Sequence, residues 1–277
     1  MTDYDFEDDQ PIGLTGDERE AYNELQDAPI VDRVAEGLRT GTHVNGSIVP
    51  FPGTARGKDV LEALPFGERG VLDDFRAKGF SATTYDYVDE EGRLLMQVVQ
   101  FRHPQEKKDV RPLRYLGTYE NGAAKYWWTA IPGTRPLYGL DRLAARPDAP
   151  VLVVEGEKTA NAAQSMFPDH AVICWPGGAK AVDRVDVSAL AGRAIVGWPD
   201  NDPVGRSGMR RLLARAVEAG AQSAAMVLVP GEFPPKWDLA DPLPDQVVDS
   251  APLAELVAKP RPLSRSEARK LLDDPRK

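Results

Sequence analysis

The chain has 277 residues, with 34 Lys and Arg against 43 Asp and Glu, a formal charge of −9. This length fits one or two domains with a real core. A single cysteine, Cys174, excludes a disulfide framework or a cysteine-based zinc site, the three histidines are too scattered for metal-ligand spacing, and no apolar run reaches the roughly 18 residues of a membrane span.

The charge is unevenly placed. Residues 1–30 hold ten acids and one base, Arg19, and so carry the entire net charge; the remaining residues balance 33 bases with 33 acids. Dense charge and few apolar residues predict a disordered acidic arm. The opening MTDYDFEDDQ has no apolar stretch of the signal-peptide kind, so the cytoplasm is the expected compartment. Residues 31–70 are rich in Gly and Pro and predict a linker, with short helices at Asp32–Leu38 and Lys58–Ala63. A helix is expected at Leu72–Lys78, ending at Gly79. Thr83–Val88 and Leu94–Phe101 flank Asp89-Glu90-Glu91-Gly92, a β-hairpin pattern. Further strands are expected at Arg114–Tyr119 and Lys125–Thr129, making residues 71–147 a small, mostly antiparallel module.

The pattern changes after Pro147 and Pro150. Val151–Val154 is a continuous apolar run, as in a strand buried on both faces. A helix (Lys158–Met166), a strand (Ala171–Trp175), a Gly177-Gly178 turn, a strand (Ala194–Trp198), a helix (Val204–Ala219) and a strand (Ala224–Val229) follow. This alternation predicts an α/β unit with a parallel sheet over residues 148–245. Residues 246–277 read as a basic tail, with a short helix at Ser264–Leu272.

Glu155-Gly156 follows the first of these strands, and Asp200-Asn201-Asp202 follows the third. Both therefore fall at C-terminal strand ends, where open α/β sheets place their ligands. Carboxylates there suit Mg²⁺ or Mn²⁺, which is held by one or two of them while phosphate and water fill the remaining positions. Asp200 and Asp202 can reach one metal, and Glu155 can complete the site or act as a general base. Lys158, Lys180, Arg206 and Arg210 are candidates for phosphate or nucleotide binding. Cys174 reads as a core residue, and Trp175 and Trp198 as packing that frames the site.

Val151–Lys158, Trp175-Pro176-Gly177-Gly178 and Gly197–Gly205, in that order and spacing, resemble the Toprim domain. More narrowly, they are similar to the Toprim part of phage- and plasmid-type DNA primases and primase-helicases. The resemblance implies a Toprim-like parallel sheet flanked by helices. It also implies catalytic and metal-binding roles for Glu155, Asp200 and Asp202. Lys236–Asp241 resembles the acidic segment that follows the last core strand in these primases, which makes Asp238 a further metal-linked acid. The sequence has no cysteine or histidine cluster for the zinc module such primases often carry, and no GxxxxGK[ST] of a helicase motor.

Residues 102–146 carry nine bases against four acids, interleaved with Tyr115, Tyr119, Tyr126, Trp127, Trp128 and Tyr138. Bases neutralise phosphate and aromatic rings stack on unpaired bases, so Arg102, Lys107, Lys108, Arg111, Arg114, Lys125, Trp127 and Trp128 are candidates for binding single-stranded DNA. Any single aromatic here is more simply explained as core of the β module. The resulting expectation is a primase-like, Mg²⁺- or Mn²⁺-dependent nucleotidyltransferase of a phage or mobile element. It would act on single-stranded DNA with nucleoside triphosphates, and a separate replicative helicase is a candidate partner. The alternatives are a Toprim phosphodiester nuclease and a non-catalytic nucleic-acid-binding accessory protein.

Overall fold

The structure is a computed structural model that describes residues 48–118, 122–131, 133–245 and 251–273. The acidic arm of residues 1–30, the expected helix at Asp32–Leu38 and Tyr119 lie outside the described residues. The chain divides into two compact units, with the boundary at Gly133/Thr134.

In the first unit, helices α1 (Lys58–Glu62) and α2 (Phe66–Ala77) precede a four-stranded antiparallel sheet. Its strands, β1 (Ser81–Val88), β2 (Leu94–Arg102), β3 (Asp109–Thr118) and β4 (Ala124–Trp127), lie in sequence order. The β1–β2 turn is closed by Asp89, whose carboxylate accepts hydrogen bonds from the Arg93 backbone N–H (2.7 Å) and from Arg93 Nε (2.6 Å). β3 begins earlier than expected and runs through Pro112, on the stretch that β4 does not reach, where a sheet tolerates proline. Leu61, Leu72, Phe75, Val99, Phe101 and Leu113 belong to the core, and Phe75 stacks on Phe101 with ring centroids 4.0 Å apart. The linker ahead of α1 docks on this sheet. Phe51 N–H donates to Leu94 O (2.7 Å), Gly57 N–H to Asp86 Oδ2 (2.8 Å), and Gln97 Nε2 to both Gly57 O (2.8 Å) and Asp86 Oδ1 (2.7 Å).

The second unit is the predicted α/β fold. Helix α3 (Leu140–Ala145) leads into β5 (Val151–Val153), α4 (Glu157–Met166), β6 (Ala171–Ile173), two 3-10 turns, β7 (Ala194–Gly197), α5 (Pro203–Glu218) and β8 (Ser223–Met226). The strand order is β6-β5-β7-β8, all parallel. β5 is central, fully buried, and in register with β7 from Val151↔Ile195 to Val153↔Gly197. That register brings the chain ends after β5 and β7 to the same edge of the sheet. Helices α4 and α5 pack against its strands.

Two segments extend this unit beyond the expected limits. Arg135 bridges Val185, and Tyr138 bridges Cys174 beside β6 through N–H···O bonds of 2.9 and 3.3 Å. Residues 134–147 therefore belong to the α/β unit and not to the β module. The expected basic tail is likewise folded, as α6 (Ala251–Ala258), β9 (Arg261–Pro262) and α7 (Arg265–Asp273). β9 pairs antiparallel with β8. Charge alone predicts a tail here, but an apolar stripe orders it: Leu253, Val257 and Ala268 are buried, and Leu263, Leu271 and Leu272 pack on the core. Ser264 and Glu267 close the start of α7 reciprocally, Glu267 N–H donating to Ser264 Oγ (3.2 Å) and Ser264 N–H to Glu267 Oε2 (2.9 Å).

Among the described residues no helix is long and apolar enough to cross a membrane. Gly139 has φ +92°, and a Cβ there would lie 2.8 Å from Val172 O. Gly139→Ala is expected to cost about 2 kcal/mol or more through strain and overlap with β6, read as a lowered denaturation midpoint.

Candidate active site

β5 continues through buried Val154 to Glu155, which is 7% exposed, and Gly156 at φ 79° then turns the chain into α4. β7 continues through Trp198 and Pro199 to Asp200. Asp200 N–H donates to Glu155 Oε1 at 3.2 Å, so the first and third motifs meet directly. The contact is close because position 205 is glycine: a Cβ there would sit 2.6 Å from Glu155 Oε1 and 3.0 Å from Asp200 Cβ.

Asp202 is the N-cap of α5. Its Oδ1 accepts from Gly205 N–H at 2.7 Å, with Pro203 in the first turn. One of its oxygens is thereby committed to the helix. Asp238 lies in a turn in which its Oδ1 accepts from Ala240 N–H (2.6 Å) and its own N–H donates to Asp241 Oδ2 (3.1 Å).

Burial pushes the Glu155 carboxyl up to about 7, the Asp200 N–H opposing the shift and the charges of Asp202 and Asp238 adding to it. Burial likewise pushes Asp200 up to about 8, reinforced by Glu155, Asp238, Asp202 and Asp241. Asp202 and Asp238 thus act on both carboxyls, and Asp241 on Asp200. Among the described residues no group of three or more His, Cys, Asp or Glu closes into a cage for a metal ion. The donors nonetheless fit a hard divalent cation held through one or two carboxylates and completed by phosphate and water. A cation would offset the burial that raises both acids and relieve the repulsion that adds to it.

The candidate phosphate ligands are differently placed. Lys158 Nζ lies 3.7 Å from Asp241 Oδ1, and Arg206 Nη1 donates to Asn201 Oδ1 at 3.3 Å. Lys180 and Arg210 are exposed. In the first unit, Arg102, Lys107 and Lys108 are exposed and Trp127 is half-buried. Arg111, Arg114, Lys125 and Trp128 are buried, which corrects their reading as an accessible DNA surface. Arg111 Nε donates to Asp109 Oδ1 (2.8 Å), and Trp128 Nε1 to Glu68 O (2.7 Å) inside the core. Asp241 and Asn201 join the site without having been among the sequence candidates. Both carry a signal: Asp241 follows Asp238 by three residues, and Asn201 separates the two acids of the third motif.

A family model described as "Domain of unknown function (DUF6371)" matches residues 75–201. No curated protein matches the chain. Solved structures similar to it include a DnaG primase catalytic domain bound to single-stranded DNA, at 14% identity and a TM-score of 0.42, covering 92% of this chain and 75% of that one. The E. coli primase catalytic core is similar at 13% identity and 0.43, covering 94% and 78%. The zinc-binding and RNA polymerase domains of the Aquifex aeolicus primase are similar at 16% and 0.44, covering 92% and 60%. At such identities and scores these likenesses bear on neither the activity nor the site residues.

The raised acids give a definite pH dependence. The folded state favours protonated Glu155 and Asp200, so their contribution to stability is full below about pH 4 and is lost as the pH rises through about 7 to 8. Without divalent cations, the thermal midpoint should fall over this range. Asp200→Asn should flatten the fall, and Mg²⁺ or Mn²⁺ should raise the midpoint of the unsubstituted protein most at pH 8. Buried Glu68, also pushed up to about 7, adds a slope of the same sign, so the difference from Asp200→Asn is the quantity to read. A further expectation is that Gly205→Ala, by displacing the Glu155 carboxylate, weakens the Mn²⁺-induced shift while α5 stays helical by circular dichroism.

Proposed function

We propose that this protein is a primase-like nucleotidyltransferase of the Toprim type, using Mg²⁺ or Mn²⁺ to join nucleoside triphosphates on a single-stranded DNA template. The observation that carries the reading is the direct contact of Glu155 with the Asp200 backbone at the shared C-terminal edge of β5 and β7, with Asp202 and Asp238 acting on both carboxyls and Asp241 on Asp200. The sequence motifs carrying these residues resemble those of Toprim primases.

A divalent cation bound here would neutralise the triphosphate and favour in-line displacement at phosphorus. Asp200, the second oxygen of Asp202 and Asp238 are the groups that would hold it. Glu155, with its proton affinity raised towards neutrality, can accept the proton of an attacking hydroxyl at Oε2 while Oε1 stays fixed by the Asp200 N–H. Lys180 and Arg210 are exposed and bring positive charge suited to phosphate, and Lys158 can exchange its contact with Asp241 for one. Arg102, Lys107 and Lys108 offer charge to the template backbone.

Purified protein incubated with single-stranded DNA, labelled nucleoside triphosphates and Mg²⁺ or Mn²⁺ should synthesise short oligomers. Asp200→Asn combined with Asp202→Asn should reduce synthesis to background while DNA binding persists. Degradation of the DNA without synthesis would replace this reading by the nuclease, and binding alone by an accessory role. Replacing Lys107 and Lys108 with Ala should weaken DNA binding and lower its salt slope by about 0.7 for each phosphate that is no longer neutralised.

A further inference from the structure

Every hydrogen-bonding group of Asn201 is in use. Its backbone N–H donates to Trp237 O (3.1 Å), and its carbonyl accepts from Lys236 N–H (3.0 Å). Its side-chain Nδ2 donates to Phe233 O (2.8 Å) and Pro234 O (3.0 Å), and Oδ1 accepts from Arg206 Nη1 (3.3 Å). The residue between the two acids of the third motif is therefore fastened to residues 233–237, just ahead of Asp238.

The segment it holds is itself stiff. Trp237 Nε1 donates to Pro242 O (2.9 Å), which closes the turn bearing Asp238 and Asp241. The Trp237 ring packs on Phe233 at 4.6 Å and faces Trp198 at 6.3 Å, between centroids. Lys236 has φ 65°, the one positive value outside glycine among the described residues. A lysine adopts that conformation only where its surroundings impose it, and here its N–H reaches Asn201 O.

We propose that Asn201 is the positioning residue of the acidic centre, locking the Asp238–Asp241 turn against Asp200 and Asp202 so that the carboxylates stay together before any cation arrives. This rests on the reading of the centre as a Mg²⁺ or Mn²⁺ site. Like charges on two separate loops drift apart unless a neutral tie opposes them. Asn supplies that tie because its amide presents two donors to the paired carbonyls of Phe233 and Pro234, a task neither Asp nor Ser can perform fully.

The test is Mn²⁺ binding by the full chain, followed through the electron paramagnetic resonance signal of the free ion. Asn201→Ala should weaken Mn²⁺ binding about tenfold with an unchanged far-ultraviolet circular dichroism spectrum, as expected when a residue orients ligands without being one. Unchanged Mn²⁺ affinity in the folded variant overturns the positioning role and leaves the metal site intact. Absence of Mn²⁺ binding by the unsubstituted protein instead overturns the metal reading, and the role falls with it. Hydrogen exchange on the unsubstituted protein covers the case in which the variant does not fold. The Asn201 and Lys236 amides should gain protection together when Mn²⁺ is added, and a gain at one without the other overturns the proposal.

Discussion

The enclosure of Glu155 and Asp200 beside one another, with the repulsion of neighbouring carboxylates added to it, is the constraint around which the α/β unit is arranged. Glu155 and Asp200 are held in contact at the ends of two parallel strands, where neither finds enough water to ionise in its ordinary range. Left alone, such groups would separate or stay protonated. The fold opposes separation from three sides. The β5–β7 register fixes the two chain ends, glycine at position 205 lets them approach, and the α5 N-cap holds Asp202. Stability is given up locally to keep these carboxyls together, and under the proposed function a cation would meet ligands already assembled.

The antiparallel unit manages charge differently. It encloses basic groups of the sheet and a carboxyl of α2: Lys125 and Arg114 are buried, as is Glu68, whose carboxyl burial raises to about 7 against the opposing charge of Lys125. Buried opposite charges contribute little net stability, but removing one member leaves the other exposed to the full cost of desolvation. These residues therefore act on the integrity of the sheet. Among the charged groups that face water are Arg102, Lys107 and Lys108 around the β2–β3 connection.

Much of the α/β unit is legible in the sequence because its signals are local and agree with one another. Val151–Val154 is apolar without alternation, as a doubly covered strand requires, and the acids follow the strands immediately. Asp202-Pro203 marks a helix start as clearly as it marks an acidic motif, and the structure uses it as a cap. Information is lost where composition stands in for periodicity. Arg111, Arg114 and Lys125 count as bases in a charge sum, yet strand pairing, with Arg114 opposite Trp127 and Lys125 opposite Gly117, decides that Arg114 and Lys125 turn inward. The basic C-terminal segment hides its apolar stripe among its charges in the same way. The place of Asn201 between two acids marks it, but its tie does not show in the sequence: its partners are carbonyls more than thirty residues downstream, and backbone acceptors leave no trace in side-chain identity.

The parallel sheet has the same kind of covering on both flanks. Tyr138 exchanges backbone bonds with Cys174 next to β6, and β9 does so with β8. An outer strand with open amides and carbonyls is a template for another chain, and short, twisted or covered edges are how natural sheets avoid being extended. Here both coverings come from segments flanking the α/β core in sequence, one ahead of β5 and one after β8. The first is tied by isolated bridges at Arg135 and Tyr138, and the second by two residues of strand. A fragment cut at the boundaries that strand–helix alternation suggests would keep the acids and the sheet, yet leave two sticky edges.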